Sequence, residues 1–355
     1  MAKTHASQET YLHHFCPECG GEMEYKGGIK KFSCKSCRYE RPLQKNSDQV
    51  VDRPLASNVN FKKFRRGMGQ ALKLKEFQCG GCSSIIAVPE EEELEICPFC
   101  EGTELEASSR LGKVLEPKDV IPFTIPLERA RKILRRYLFK RNYLFLPNSI
   151  QQTTRRDRLR GVYLPVFFID AFTRSTWKGQ AGRKVKQNKQ DKIFWDPSTG
   201  YWEHTFDRMF IEASKGIQMK HFKTIQPYDK FKLVPHDPLY LRDFITEIYQ
   251  KDEIDGIKSA DKQIENEVKR QSEYKRKGDV FKDFKYNREN MLLAFRHVLV
   301  PVWIATYQYR GQNFQLMING QKGFVAGDKP LSMRKIWIAI ITGIVSISLM
   351  VWLLS

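Results

Sequence analysis

Eight cysteines fall into two copies of one spacing, Cys16-x2-Cys19-x14-Cys34-x2-Cys37 and Cys79-x2-Cys82-x14-Cys97-x2-Cys100, and the chain has no other cysteine. Each CxxC turn offers two sulfurs on one tight bend. Two such turns facing each other across a short sheet put four thiolates at the corners of a tetrahedron, which suits Zn²⁺. Disulfides fit a cytosolic chain poorly, and a rubredoxin-like iron site would use the same ligands. The expectation is two structural Zn²⁺ ions, each in a closed four-thiolate site that leaves no position for a catalytic water.

Glycines support this reading. Gly20 and Gly21 follow Cys19, Gly80 and Gly81 lie inside the third turn, and Gly102 follows Cys100, where backbone amides must turn back toward sulfur. Between the turns run short strand-like stretches such as Ile85-Ile86-Ala87-Val88. So little apolar core makes bound metal a main source of folding free energy, on the order of 10 kcal/mol per site.

The last residues carry the second signal. Residues 336–354 contain no charge and no proline, and at 1.5 Å per residue they reach about 28 Å, enough to cross a bilayer. Trp337 and Trp352 stand near opposite ends, and Lys329, Arg334 and Lys335 precede the span. The polar start of the chain lacks an apolar signal-peptide core. This pattern reads as a single-pass tail anchor in the cell (inner) membrane with the body in the cytoplasm. Ala339-x3-Gly343 and Thr342-x3-Ser346 add small-residue spacings of the kind that lets two spans pack as a homo-oligomer.

Charge separates the two halves. Residues 1–110 carry 16 basic and 16 acidic side chains, whereas residues 111–355 carry 44 against 25 and hold the whole net charge of +19. A ribbon that grips phosphate should itself be basic. The second one instead bears Glu90 to Glu93 and Glu95, which favours protein recognition or a structural role. The basic residues concentrate on an amphipathic helix: Leu127, Ala130, Ile133, Leu134, Tyr137 and Leu138 recur on one face, and Arg129, Arg131, Lys132, Arg135, Arg136, Lys140 and Arg141 surround the other. Arg155, Arg156, Arg158 and Arg160 form a second cluster, and Arg183, Lys184, Lys186, Lys189 and Lys192 a third. Beside a membrane, Arg131, Arg135, Arg136, Lys140, Arg334 and Lys335 are candidates for contact with anionic lipid, at about 1 kcal/mol each. RNA, DNA or an acidic protein would fit the same charges, and a solvated face needs no ligand at all.

The fold class expected is α+β: two small zinc ribbons, a mixed helix and antiparallel-sheet body with a repeated strand unit, and one C-terminal transmembrane helix. The segments are ribbon 1 over 1–45, a connector over 46–75 with a short helix around Phe61 to Leu74, and ribbon 2 over 76–110. The basic helix and first sheet unit occupy 111–238, a helical arm 239–297, the second sheet unit 298–332 and the anchor 333–355. The repeat pairs Val162-Tyr163-Leu164-Pro165-Val166 with Val298-Leu299-Val300-Pro301-Val302, and proline inside such strands implies an edge or a bulge. Hairpins are expected through Arg310-Gly311 and near Gly320. Trp202-Glu203-His204 and His236-Asp237 are the only His–acid neighbours, patterns that usually belong to packing or turns. No phosphate-binding G-x4-G-K-[ST] loop occurs, and no enzyme is expected.

Paired ribbons, Ile121-Pro122-Phe123 before a basic helix, Gly161-Val162-Tyr163-Leu164-Pro165, Pro235-His236-Asp237-Pro238, Leu299-Val300-Pro301-Val302-Trp303 and Asn319-Gly320-Gln321-Lys322-Gly323 occur here in one order. The chain thereby resembles a family of bacterial membrane-anchored proteins with a TFIIB-type zinc ribbon, whose members are often labelled as similar to primosomal protein N′. The resemblance implies membrane anchoring and partners of the band-7 (SPFH) or phage-shock type in envelope stress. At Lys35-Ser36-Cys37-Arg38 the sequence departs from that pattern, where relatives more often carry Pro, an aromatic residue and a Gly after the last Cys. The function expected is a non-catalytic membrane adaptor that recruits protein partners. The alternative is a membrane-tethered nucleic-acid binder.

Overall fold

The computed structural model describes residues 16–26, 31–42, 74–89, 93–107, 117–139, 145–148, 159–187, 190–214, 219–241, 243–275 and 278–354. The connector helix expected around Phe61, Lys140 and Arg141, the 155–158 arginines and Lys189 lie outside them.

Ribbon 1 is a small antiparallel sheet of β1 (Met23–Lys26), β2 (Lys31–Cys34) and β3 (Glu40–Pro42) in that order. Ribbon 2 comprises β4 (Leu74–Cys79), β5 (Ile85–Pro89) and β6 (Leu105–Ala107), with β4 between the other two. It is not a free unit. Its β5 pairs with β11 (Ile245–Glu247), and β11 runs parallel to the start of β8 (Arg160–Gln187), so ribbon 2 continues the sheet of the body.

Two long strands organise that body. β8 has 28 residues and β12 (Val280–Tyr309) has 30, and they pair antiparallel almost end to end. Each changes its other neighbour partway along. β8 exchanges β11 for β9 (Gln190–Glu212) after Tyr163, and β12 exchanges β7 (Asp119–Val120) for β13 (Gln312–Asn319) after Leu299. Beyond these exchanges β9, β8 and β12 form a long three-stranded blade. Short β10 (Val234–Pro235) pairs with β7 at the sheet margin, and β14 (Val325–Gly327) pairs with β13.

The repeated strand unit is therefore one seam within a single sheet and does not form two separate units. Pro165 lies opposite Leu299, and Pro301 opposite Tyr163. The Pro165 carbonyl accepts from Ala213 N–H, and the Pro301 carbonyl from Gly320 N–H. In a strand the N and C=O of one residue point to the same side. Each missing proline N–H thus faces the side where the strand is exchanging neighbours, which is how proline is tolerated in the middle of a sheet.

The expected helical arm over 239–297 is corrected. Its helix, α3, is confined to Glu253–Lys275, and Ile245–Glu247 and Val280 onward are strand. Ala260, Ile264 and Val268 of α3 pack on Phe167, Ile169, Trp177 and Trp202 of the blade. Helix is correspondingly scarcer than expected. The basic helix α1 (Leu127–Phe139) buries Ala130, Leu134 and Leu138 against Leu316 and Ile318, with half-buried Ile133 and Tyr137 alongside. A short helix α2 (Met219–Thr224) and a 3-10 turn over Pro238–Tyr240 complete the body. The hairpin expected at Arg310-Gly311 is present, both residues having positive φ (53° and 72°) as a tight two-residue turn requires. The last helix, α4 (Met333–Leu354), leaves the sheet, and among its described side chains no apolar one is fully buried, Ile336 being half-buried.

Candidate metal centres and the root of the apolar helix

The four CxxC turns share one geometry. In each, the first cysteine's N–H reaches the carbonyl five residues on (Cys16 to Gly21, Cys34 to Tyr39, Cys79 to Ser84, Cys97 to Gly102), at 2.7–3.0 Å. Its carbonyl in turn accepts from the residue four on: Gly20, Arg38, Ser83 or Glu101, at 2.8–3.2 Å. Closing both bonds forces that fourth residue to positive φ, between 59° and 65° in all four. Only the first turn meets this demand with glycine.

The turns bring the sulfurs together as the spacing predicts. Cys16 Sγ lies 3.4 Å from Cys37 Sγ, and Cys19 Sγ 3.5 Å from Cys34 Sγ. The second cluster repeats this with Cys79–Cys100 at 3.5 Å and Cys82–Cys97 at 3.6 Å. Such separations are far beyond a disulfide bond of about 2.05 Å. They approach the roughly 3.8 Å edge of a tetrahedron whose centre-to-sulfur distance is about 2.3 Å. Within each cluster all four sulfurs lie inside 4.8 Å of one another, so two groups of four cysteines can each hold a metal ion.

Backbone amides prepare the sulfurs for the thiolate state. The N–H groups of Cys37 and Ser36 donate toward Cys34 Sγ and, against burial, bring that thiol down to about 6. In the second cluster the hydrogen bond with Cys97 leads in lowering Cys82 to about 5, with Ser84 assisting, while the Cys97 thiol is raised. Four sulfurs crowded this closely cannot all ionise without a cation among them, and a metal ion held by the four cysteines would supply that charge.

The two centres differ in access and in attachment. Cys19 and Cys37 are exposed, whereas Cys79, Cys97 and Cys100 are buried and Cys82 is half-buried. Ribbon 2 is gripped from the body at its last turn: Thr306 Oγ1 donates to the Pro98 carbonyl at 2.8 Å and Gln315 Nε2 to that of Phe99. Phe99 itself lies in the core. Ribbon 1 docks through aromatic rings. Tyr25 packs edge-on to Tyr240, its hydroxyl donates to the Phe123 carbonyl at 2.9 Å, and Phe32 also meets Tyr240. Arg41 covers Phe32 and pairs with Asp237 at 3.2 Å. The scant ribbon core expected from sequence is thus made up by the body.

Of the expected membrane-contact residues, Arg135 and Arg136 are exposed on α1 and Arg131 pairs with Glu128. Lys140 lies outside the described residues. On α4, Met333–Leu353 form one helix long and apolar enough to cross a membrane, with Arg334, Trp337 and Trp352 exposed. Lys335 is turned inward instead, its Nζ donating to the Leu146 carbonyl at 2.7 Å.

Sequence reasoning missed how the root of α4 is held. Ser332 N–H donates to the Phe145 carbonyl, Tyr137 hydroxyl to that of Gly327, and Tyr307 hydroxyl to that of Asp328. Asp328 also takes His221 Nε2 at 2.8 Å and Lys220 Nζ at 3.3 Å. No short motif links residues separated by 21 to 190 positions, so only the fold reveals these contacts. His204 stacks on Trp202, and His236 lies between β10 and the 3-10 turn, its backbone N–H donating to the Lys118 carbonyl at 2.9 Å.

No family model matches the chain, and no solved structure matches it. The chain is similar to the uncharacterized protein YdjG of Bacillus subtilis (strain 168), with 25% identity over 338 residues, covering 92% of this chain and 93% of that protein.

Proposed function

We propose that this protein is a non-catalytic, membrane-anchored zinc-ribbon adaptor. α4 spans the inner membrane, the body lies in the cytoplasm, and the two ribbons, each organised by Zn²⁺, present surfaces that recruit protein partners. The partners implied by the family resemblance are band-7 or phage-shock proteins.

One observation carries the reading: the basic helix is fastened to the root of the apolar one. Tyr137, near the end of α1, bonds Gly327 and stacks under Lys329, a few residues before α4 begins. The exposed cations Arg129, Lys132, Arg135 and Arg136 are therefore held close to where the chain would enter a bilayer. There they meet the anionic leaflet within a Debye length. The geometry of the ribbons supports a structural metal. All the ligands are thiolates and the turns close around them, leaving protein surface, not metal, for contact.

Deleting residues 336–355 tests this. The truncated protein should move to the soluble fraction and take with it the proteins recovered with the full chain. Partners that stay in the membrane fraction undiminished would overturn the adaptor reading.

A further inference from the structure

The blade outruns its third strand. Val280, where β12 begins, pairs with Gly182, while β8 and β9 stay paired as far as Gln187 and Gln190. A two-stranded hairpin therefore extends past the rest of the sheet, fastened at its base where Asp279 accepts from Lys184 N–H at 2.8 Å. Isolated hairpins are marginal in water and are normally steadied by something packed on a face.

The sequence of this hairpin is patterned for an unusual surface. Its rungs join an apolar residue to a cation: Arg183 with Phe194, Lys184 with Ile193, and Val185 with Lys192. Successive side chains point to opposite faces, so both faces carry apolar groups beside cations. Phe194 is 54% exposed, Val185 45% and Ile193 41%. Arg183 is paired with Asp196 at 3.0 Å, while Lys184, Lys186 and Lys192 are also exposed and give the tip an excess of positive charge.

We propose that this hairpin is a second contact site for an anionic lipid surface, separate from α4. Headgroup phosphates take the cations, and the acyl boundary takes Val185, Ile193 and Phe194. Nucleic acid fits less well. Phosphates would use the cations and a base could stack on Phe194, but the aliphatic Val185 and Ile193 would stay in water.

The site is remote from the anchor along the chain's own scaffold. β12 runs from Val280 beside the hairpin to Tyr307, whose hydroxyl holds Asp328 before α4. At about 3.3 Å per residue, that separates the two by roughly 90 Å of strand contour. The hairpin therefore stands at the opposite end of β12 from the root of α4.

The test uses the full chain in phosphatidylcholine nanodiscs. Co-elution with the discs reports α4 alone; protein that stays out of the discs is taken directly to the same vesicle step with the same variants, so the hairpin is judged whether or not the anchor reading holds. The loaded discs are then mixed with vesicles of phosphatidylcholine with or without phosphatidylglycerol, and hydrogen exchange is measured in discs of both compositions. The expected result is co-flotation with phosphatidylglycerol vesicles only, or slowed exchange at the hairpin in phosphatidylglycerol discs only. Either effect should fall about tenfold in Phe194→Asp and in Lys184→Glu/Lys192→Glu, with metal content unchanged as the check on folding. Wild-type behaviour in these variants, or no response to phosphatidylglycerol in either format, would overturn the proposal. So would retention of a single-stranded oligonucleotide by the wild type alone, without vesicle binding.

Discussion

Lys329 Nζ sits 3.4 Å from the centroid of the Tyr137 ring and donates to the carbonyl of the same residue at 2.9 Å. One side chain thereby binds the end of α1 to the segment that leads into α4. A cation over an aromatic face contributes about 0.5–2 kcal/mol. A double-mutant cycle of Tyr137→Leu and Lys329→Met, read by denaturant unfolding of the protein in detergent, should return a coupling of about 1 kcal/mol. Additive single effects would show that the two elements are held independently.

The metal centres should empty in order. Exposed Cys19 and Cys37 leave the first site open to chelator, whereas the second is mostly buried and bolted to the sheet. With a competing chelator, metal release followed by a colorimetric zinc indicator should show two phases, the faster one removed by Cys16→Ser and the slower by Cys97→Ser. Each variant should also lose one of two ions per chain in elemental analysis. Loss of the second ion should disturb the body's circular dichroism more, because β5 is shared with the main sheet through β11.

Backbone strain in the knuckles makes a stabilising prediction. Arg38, Ser83 and Glu101 hold φ of 64°, 59° and 59°, a region that costs a side-chain-bearing residue about 1–2 kcal/mol. Arg38→Gly should stabilise the metal-bound protein by about 0.5–1 kcal/mol, the gain being reduced by glycine's greater freedom when unfolded. Thermal unfolding checks it, and a lower midpoint would mean that the Arg38 side chain makes contacts worth more than the strain.

His236 gives the protein a dependence on pH. Burial pushes its pKa down to about 4, and its Nε2 is sealed from solvent without a hydrogen-bond partner among the described residues. The unfolded chain, with a His pKa near 6.5, binds the proton first. The neutral ring's contribution is therefore fully present above about pH 6.5 and is lost as the pH falls through 4, to a total on the order of 3 kcal/mol. Unfolding free energies of wild type and His236→Gln across this range should converge toward acid. Metal loss at low pH affects both proteins alike, so the difference isolates the imidazole. Parallel curves would place the titrating group elsewhere.

What the sequence determined by itself is local. The cysteine spacing names both four-cysteine clusters because a CxxC turn fixes two sulfurs within a few residues. The 3.6-residue period names α1, and unbroken apolarity names α4. The Arg310-Gly311 turn is likewise read from its own residues. Each of these signals lies within a short stretch of chain, where the backbone alone sets the geometry.

Tertiary structure decided the rest. The segment from Val280 to His297 reads as part of a charged helical arm because its alternation is broken: toward α3 it presents Phe284 and Tyr286, and then Arg288 and Asn290. Those polar residues are satisfied by Asp261, and Tyr286 by Glu265, all on α3. A strand whose covered face is partly polar loses the period-2 signal, because hydrogen bonds from the helix packed on it replace apolar burial. Pro165 and Pro301 read as signs of an edge or a bulge, yet the β8–β12 register runs through both without a shift. They stand instead mid-sheet, where each long strand exchanges one neighbour for the next, a circumstance set by strands far away in sequence. Pairing across a hundred residues is the part of the fold that no local pattern encodes.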